Sequence, residues 1–343
     1  MLLLARDVAK GGALRDEVRA AGVACEFHAV DLGRPAEVLR AAAAVAAAEP
    51  ALHCLVHMAG VWSTAKERCE QSDGLEQHFA VNYLAVTLLT EGLLQLLSET
   101  ATAGATPRGS PSAPSPSRVV AVGSAAVIDI IQGELHLDDL QLEQLSVHCG
   151  RGLEADHFDK GRPANAFAFA HSELLLQLWV MHRAALQPQP PTVTYNLCEP
   201  GFVDTALTAG SAPGPPDKQP TGAGLFARKG SMTRRPSAPP RTPAVGCEPA
   251  LHLASAPAMG GLTGRLVDWG RGGALRLHRP TGLDCFPGDK GSFVEVLADP
   301  DKGVRLARAT DALVAGLRAK YAAAEQPTLT THLGAIAAVA GLL

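Results

Sequence analysis

The sequence predicts an α/β fold, a doubly wound parallel sheet with helices on both faces in three α/β/α layers. Two observations predict it. Over residues 1–200, short apolar runs alternate with longer segments patterned at helical spacing, which is the signature of repeated strand-helix units. In addition, 343 residues with 47% hydrophobic side chains suffice to bury one large core. Right-handed crossovers would then distribute the helices over both faces of the sheet.

In chain order, strands are expected at Leu2–Ala5, Ala24–Val30, Leu52–His57, Arg118–Val122 and Thr192–Leu197, with a last one at Leu262–Asp268. Helices are expected at Ala36–Ala48, which is rich in alanine, and at Gly74–Leu97, which has a strong apolar face. Others are expected at Ala164–Ala185, Gly246–Ser255 and Val304–Ala324. Two segments break the rhythm. Thr102–Ser117 (TAGATPRGSPSAPSPS) has a composition that cannot pack a core, so a disordered surface insertion is expected there. Ser211–Pro243 is also Pro/Gly-rich and carries Arg228, Lys229, Arg234, Arg235 and Arg241, a run that reads as a mobile, solvated loop. The expected organisation is one domain over 1–275 with insertions at 102–117 and 211–243, followed by a helical extension over 276–343.

Charge narrows the partners. With 30 basic and 34 acidic side chains the net charge is −4, so no general field draws nucleic acid, and no nucleic-acid partner is expected. The seven cysteines are odd in number and contain no C-x-x-C pair, so they read as reduced thiols in a reducing compartment. No metal site is expected: His148 with Cys149, and His157 beside Asp156 and Asp159, have no recognised ligand spacing. No uninterrupted apolar run approaches the roughly 20 residues of a membrane span, so no integral membrane segment is expected and the chain reads as soluble and intracellular, in the cytoplasm or an organelle lumen. MLLLA is followed at once by Arg6, Asp7 and Lys10, and reads as a buried strand rather than a signal peptide.

Chemistry should gather at the carboxyl ends of the strands, where ligands sit in open parallel sheets. LVHMAGVW (Leu55–Trp62) leaves a strand through Ala59-Gly60, small residues that allow close approach to the backbone. FAVNYLAVTLLTEGLL (Phe79–Leu94) sets Asn82 inside an otherwise apolar helix, where an amide must find partners. RVVAVGSAA (Arg118–Ala126) delivers Ser124 at a strand end; an ordinary turn would explain one such serine equally well.

The ordered set carries more weight. LLLARD, VDL, the strand ending in Ala-Gly, F-x-V-N-x-L, V-x-V-G-S and NLCEPGFVDT (Asn196–Thr205) together resemble the short-chain dehydrogenase/reductase family. The likeness is greatest to its retinol-dehydrogenase-like members, through DDLQ (Asp138–Gln141) and TPAVGCEPALHLA (Thr242–Ala254), and it runs from residue 1 to about 270. The resemblance implies a Rossmann-like sheet holding a nicotinamide dinucleotide and a small lipophilic carbonyl or alcohol substrate. It implies that Arg6, assisted by Lys10, meets a 2′-phosphate, so that the cofactor is NADP. Asp31 would approach the adenine, Ala59 and Gly60 the adenine ribose, and Pro200, Gly201, Val203 and Thr205 the nicotinamide and its phosphate. Asn82 would support a proton-relay water, Ser124 would orient the substrate, and Ala206–Pro243 would be the substrate lid. A homodimer through Gly74–Leu97 and Ala164–Ala185 is a further implication, although the apolar faces of both helices equally suit a core.

Three departures qualify this. The family opens with a strand and a Gly-rich TGxxxGxG turn that binds the pyrophosphate, whereas Met1 falls at the family's second strand and no such turn precedes Arg6. The expected sheet lacks its first strand, leaving two neighbours with unpaired edges unless the sheet closes up, and a truncated reading frame or fragment is the expected cause. Second, the family's Tyr-x-x-x-Lys aligns with AFAFAHSELLL (Ala166–Leu176), placing Phe169 at the Tyr position and Glu173 at the Lys position. Phenylalanine has no proton to give, and a carboxylate reverses the help of an ammonium. His171 cannot stand in, because two residues along a helix turn it about 200° away. Third, Asn-Asn-Ala-Gly is here His57-Met58-Ala59-Gly60, and His57 reads as a hydrogen-bonded strand-end histidine. The expected function is therefore an NADP-dependent oxidoreductase lineage with weak or no activity and weakened cofactor binding. The alternative is a non-catalytic pseudoenzyme serving as a binding or scaffold protein.

Overall fold

The structure is a computed structural model that describes residues 1–63, 68–71, 73–103, 115–124, 135–144, 164–205, 207, 241–269, 274–278 and 299–325. Most of both expected insertions lies outside the described residues, as do His148, Cys149, Asp156, His157 and Asp159.

The chain forms strands β1 (Leu2–Ala5), β2 (Glu26–Ala29), β3 (Cys54–His57), β4 (Ser117–Val122), β5 (Val193–Cys198), β6 (Arg265–Trp269) and β7 (Leu275–His278). The helices are α1 (Val8–Ala20), α2 (Pro35–Ala48), α3 (Ala85–Thr102, entered through a π-helical turn at Phe79–Leu84), α4 (Ala164–Ala185), α5 (Pro243–Gly246), α6 (Glu248–Ser255) and α7 (Pro300–Glu325). Strands β3-β4-β5-β6 pair in parallel, and β7 adds antiparallel to β6. Because β7 carries the sheet past residue 275 and α7 packs on α4, the described part of the expected helical extension is joined to the core: Leu306 is fully buried and the Tyr83 hydroxyl lies 2.5 Å from Thr310 Oγ1.

The sheet is in two parts. β1 and β2 form a separate parallel pair, Leu2 opposite Glu26 and Ala5 opposite Ala29, and neither is laddered to β3. Among the described residues the sheet has not closed up across the position of the expected missing strand. What joins the parts is helix packing, in which α2 turns Val38, Ala42 and Val45 inward against α3. There Gly92 lets the helices meet so closely that a Cβ on it would lie 2.6 Å from the Ala42 Cβ.

Local sequence explains each element. Pro35 begins α2 at a position where a missing N–H costs nothing, and an alanine-rich body continues it. Asp7 caps α1 by accepting the Lys10 N–H at 3.0 Å. This helix is absent from the sequence expectation because its Gly-Gly pair and weak apolar face hide it; Gly11, its one buried residue, lies against the Phe27 ring. In β4 and β5 the apolar runs are buried, Val119, Val120 and Ala121 completely. Asn196 within β5 accepts the Arg265 N–H and donates to the Leu262 carbonyl, both at 2.9 Å, which fixes the turn into β6.

By length and composition Phe79–Thr102 could cross a membrane, yet 78% of its most apolar stretch is buried inside the protein, as in a core helix.

Candidate functional site

The carboxyl ends of β3, β4 and β5 open toward one side of α4. Helix α4 carries Phe169, Ser172, Glu173 and Gln177 along one face, the three- and four-residue spacing that aligns side chains on a helix. Gln177 donates to the Ser124 carbonyl at 3.0 Å, so Ser124 is held to α4 one turn beyond Glu173. A small cavity of about 200 Å³, partly open to solvent, lies between Gly123, Ser124, Gln177, Cys198 and Glu199.

Asn82 sits on the π-helical turn, a local widening common at functional positions. Its Oδ1 accepts the Val61 N–H at 2.8 Å, and its Nδ2 donates to the Val61 carbonyl at 3.1 Å and to Ser172 Oγ at 3.2 Å. The amide expected to support a relay water thus spends its capacity on the loop after β3 and on α4. Four residues earlier His78, fully buried, accepts the Ser63 N–H through Nε2 at 3.1 Å and lies 2.7 Å from Glu76 through Nδ1. The loop 61–63 is therefore tied down from one helix turn at two points, and this sets Trp62 edge-on to Phe169 with ring centroids 4.7 Å apart. The His78 ring, 6.1 Å away, flanks Phe169 on another side.

Glu173 is 6% exposed and has no hydrogen bond among the described residues. Burial, aided by the like charge of Glu199, pushes its carboxyl up to about 8, so it is mainly protonated at neutral pH. The expected reversal of the ammonium field is thus replaced by a group with little field at all. His171 points elsewhere: it accepts the His136 N–H at 3.3 Å and stacks on Phe167. His57 lies 2.8 Å from Thr90 Oγ1 and is neutral, because burial pulls it down to about 4.

Other expected positions are less collected. Arg6 is exposed just beyond β1, and Lys10 pairs with Asp7 at 3.7 Å. Asp31 accepts the Gly33 N–H at 2.9 Å, holding a turn. Ala59 and Gly60 are exposed, and a Cβ on Gly60 would lie in ordinary contact with Asn82 Oδ1 at 3.6 Å. Pro200, Gly201, Val203 and Thr205 are half-buried at the end of β5, and Val203 bridges to Arg241. Sequence reading missed Trp62, Glu76, His78, Ser172, Gln177, Glu199 and Arg241. Only the spacing 169-172-173-177 on one helix could have pointed to any of them.

Small residues stand at the ends of β3 and β5, and the guanidinium of Arg241 lies against Gly201.

Comparison with known proteins shows what the chain is similar to. Residues 1–106 match the short chain dehydrogenase family model. Polyprenol dehydrogenase of Danio rerio is 34% identical over 222 residues, 64% of this chain and 54% of the relative. Retinol dehydrogenase 12 of Mus musculus is 30% identical over 208 residues, 60% of this chain and 54% of the relative. The chain is similar to short-chain dehydrogenases/reductases, with the likeness to their retinol-dehydrogenase-like members and to a family of oxidoreductases. The chain spans about half the length of these curated relatives. Among solved structures, an uncharacterised protein of Mycobacterium paratuberculosis superposes with a TM-score of 0.54 at 18% identity, covering 91% of this chain and 83% of that one. A Beutenbergia cavernae protein assigned as a gluconate 5-dehydrogenase, with NADP bound at low occupancy, gives 0.51 at 21% identity over 78% of this chain and 83% of its own. Both share the Rossmann-like α/β fold of short-chain dehydrogenases.

Proposed function

We propose that this chain is a short-chain dehydrogenase/reductase of the lineage that handles lipophilic alcohols and carbonyls with NADP, and that in the sequence given it binds the cofactor weakly and turns over slowly or not at all. The observation that carries the reading is the pair on α4. Phe169 brings a ring with no exchangeable proton to the position where the family resemblance puts a phenol, and that ring is packed against Trp62. Glu173, one turn on, is buried and mainly neutral, so no positive charge stands there to lower the pKa of a neighbouring acid. The relatives' names, polyprenol and retinol dehydrogenases, support the lipophilic substrate class.

NADPH binding, followed by fluorescence, and NADPH oxidation with a long-chain aldehyde test the reading together. The chain is expected to show weak binding and a rate at background. The double variant Phe169→Tyr/Glu173→Lys is expected to raise turnover at least tenfold. Ready turnover by the unsubstituted chain would overturn the proposal.

A second reading, a binding protein without catalysis, is favoured by the clamping of loop 61–63 through Asn82 and His78, which fills the mouth of the site with Trp62. No gain of turnover in the double variant, with NADPH binding unchanged, would select it.

A further inference from the structure

The carboxyl ends of β5 and β6 carry a second feature that the family motif does not account for. Arg241 belongs to the basic run that the sequence reads as a solvated linker, yet its backbone is fixed: its N–H donates to the Phe202 carbonyl and its carbonyl accepts the Asp204 N–H, both at 2.9 Å. With the main chain held, the guanidinium lies over the Trp269 ring, 5.2 Å from its centroid, and rests against Gly201. Gly201 has φ +75°, a conformation that favours glycine, and a Cβ there would collide with the Arg241 guanidinium.

Among the described residues, two sets of donors at this point have no protein acceptor. Among the described residues Arg241 has neither a hydrogen bond from its guanidinium nor a carboxylate within ion-pair range, although Glu199, Asp204 and Asp268 are nearby in the chain or the sheet. The Trp269 indole Nε1 is buried and lacks an acceptor. A buried N–H left unsatisfied is costly, so its persistence needs a reason, and a bound anion is one of the ordinary ones. A planar guanidinium fork stacked on an aromatic ring is the arrangement that recognises phosphate oxygens.

We propose that Arg241 and Trp269 form an anion site at the ends of β5 and β6, taking a phosphate group on the guanidinium fork with the indole N–H as a further donor. The site rests on its own geometry and does not depend on catalysis by α4.

The test uses the whole chain labelled with ¹⁵N. It has three tryptophans, so three indole N–H resonances, and Trp269→Phe identifies the one that belongs to residue 269. Inorganic phosphate is titrated at constant ionic strength against a chloride control. Phosphate, and not chloride, is expected to move the Trp269 resonance saturably. Arg241→Gln is expected to weaken that binding about tenfold or more, as loss of a charged hydrogen-bonding partner does. Unmoved resonances from Trp62 and Trp179 show the variant folded; should they shift to unfolded positions, Arg241→Lys, which keeps the charge and loses the fork, is read instead and is expected to bind several-fold more weakly. A Trp269 resonance indifferent to phosphate, or a variant that binds as well as the parent, overturns the proposal. NADPH that displaces phosphate assigns the anion to the dinucleotide, whereas phosphate retained beside NADPH assigns it to a separate ligand; both results uphold the site.

Discussion

The two parts of the sheet make an instructive contrast. Every residue of β5 is buried, and β4 and β5 lie between α3 and α4 on one face and α6 on the other. No residue of β1 or β2 is buried, although Leu2 and Leu4 touch the rim of the main core. β1 and β2, like β3 to β6, pair in parallel, and what differs is what covers them. A ladder with partners on both edges and helices on both faces removes its side chains from water, whereas a two-strand pair with one helix of its own cannot.

The largest expected effect breaks the well-covered part. Leu175→Ala, at a fully buried position of α4, should cost about 2–5 kcal/mol in urea unfolding, and Leu3→Ala in half-buried β1 should cost about 1 kcal/mol. Equal losses would show the parts to be one cooperative unit.

Two pH tests sharpen the contrast, since one group lies in the larger sheet and the other on the helix that covers it. Glu173 is raised from 4.5 to about 8, so its carboxyl is neutral in both states at low pH. As pH rises from 4.5 the unfolded chain ionises first and stability falls, levelling off above 8; by pH 7 the loss has a ceiling on the order of 3 kcal/mol. Glu173→Gln should therefore raise the melting temperature at pH 7–8 and leave it unchanged near pH 4. His57, lowered from 6.5 to about 4, acts in the other direction: the unfolded chain takes the proton first, so its contribution is present above pH 6.5 and is lost as pH falls toward 4. His57→Gln should flatten that limb of the stability curve.

Gly92→Ala tests the joint between the parts. With the Ala42 Cβ 2.6 Å from the new methyl, α2 must move, at about 1–3 kcal/mol, and hydrogen exchange should rise in β1 and β2 more than in β4. Last, Glu26→Gln removes an exposed ion pair with Arg19 and should change stability by less than about 1 kcal/mol.

Much of the fold was legible. The runs that became β3, β4 and β5 were placed to within two residues, and α4 as observed, because strands buried on both faces and long core helices leave strong local patterns. The strand β7 and helix α1 were not, since neither carries a clear apolar rhythm. At the site, the positions of Ser124, Asn82, Phe169 and Glu173 could be read from spacing and family likeness, but their partners could not: Asn82 meets Ser172 across 90 residues, and no local pattern encodes a contact of that separation.

The sequence alone determined the alternation of strands and helices, the serine at the end of β4 and the presence of Phe169 and Glu173 on one helix face, because each is a matter of composition or short-range period. Only the tertiary structure decided that the sheet stands in two parts, that the Glu173 carboxyl is mainly neutral, that the Asn82 amide is spent on Val61 and Ser172, and that Arg241 rests on Trp269. Those outcomes follow from burial and from contacts between distant segments, where the dielectric surroundings and the available partners are fixed by packing rather than by neighbours along the chain.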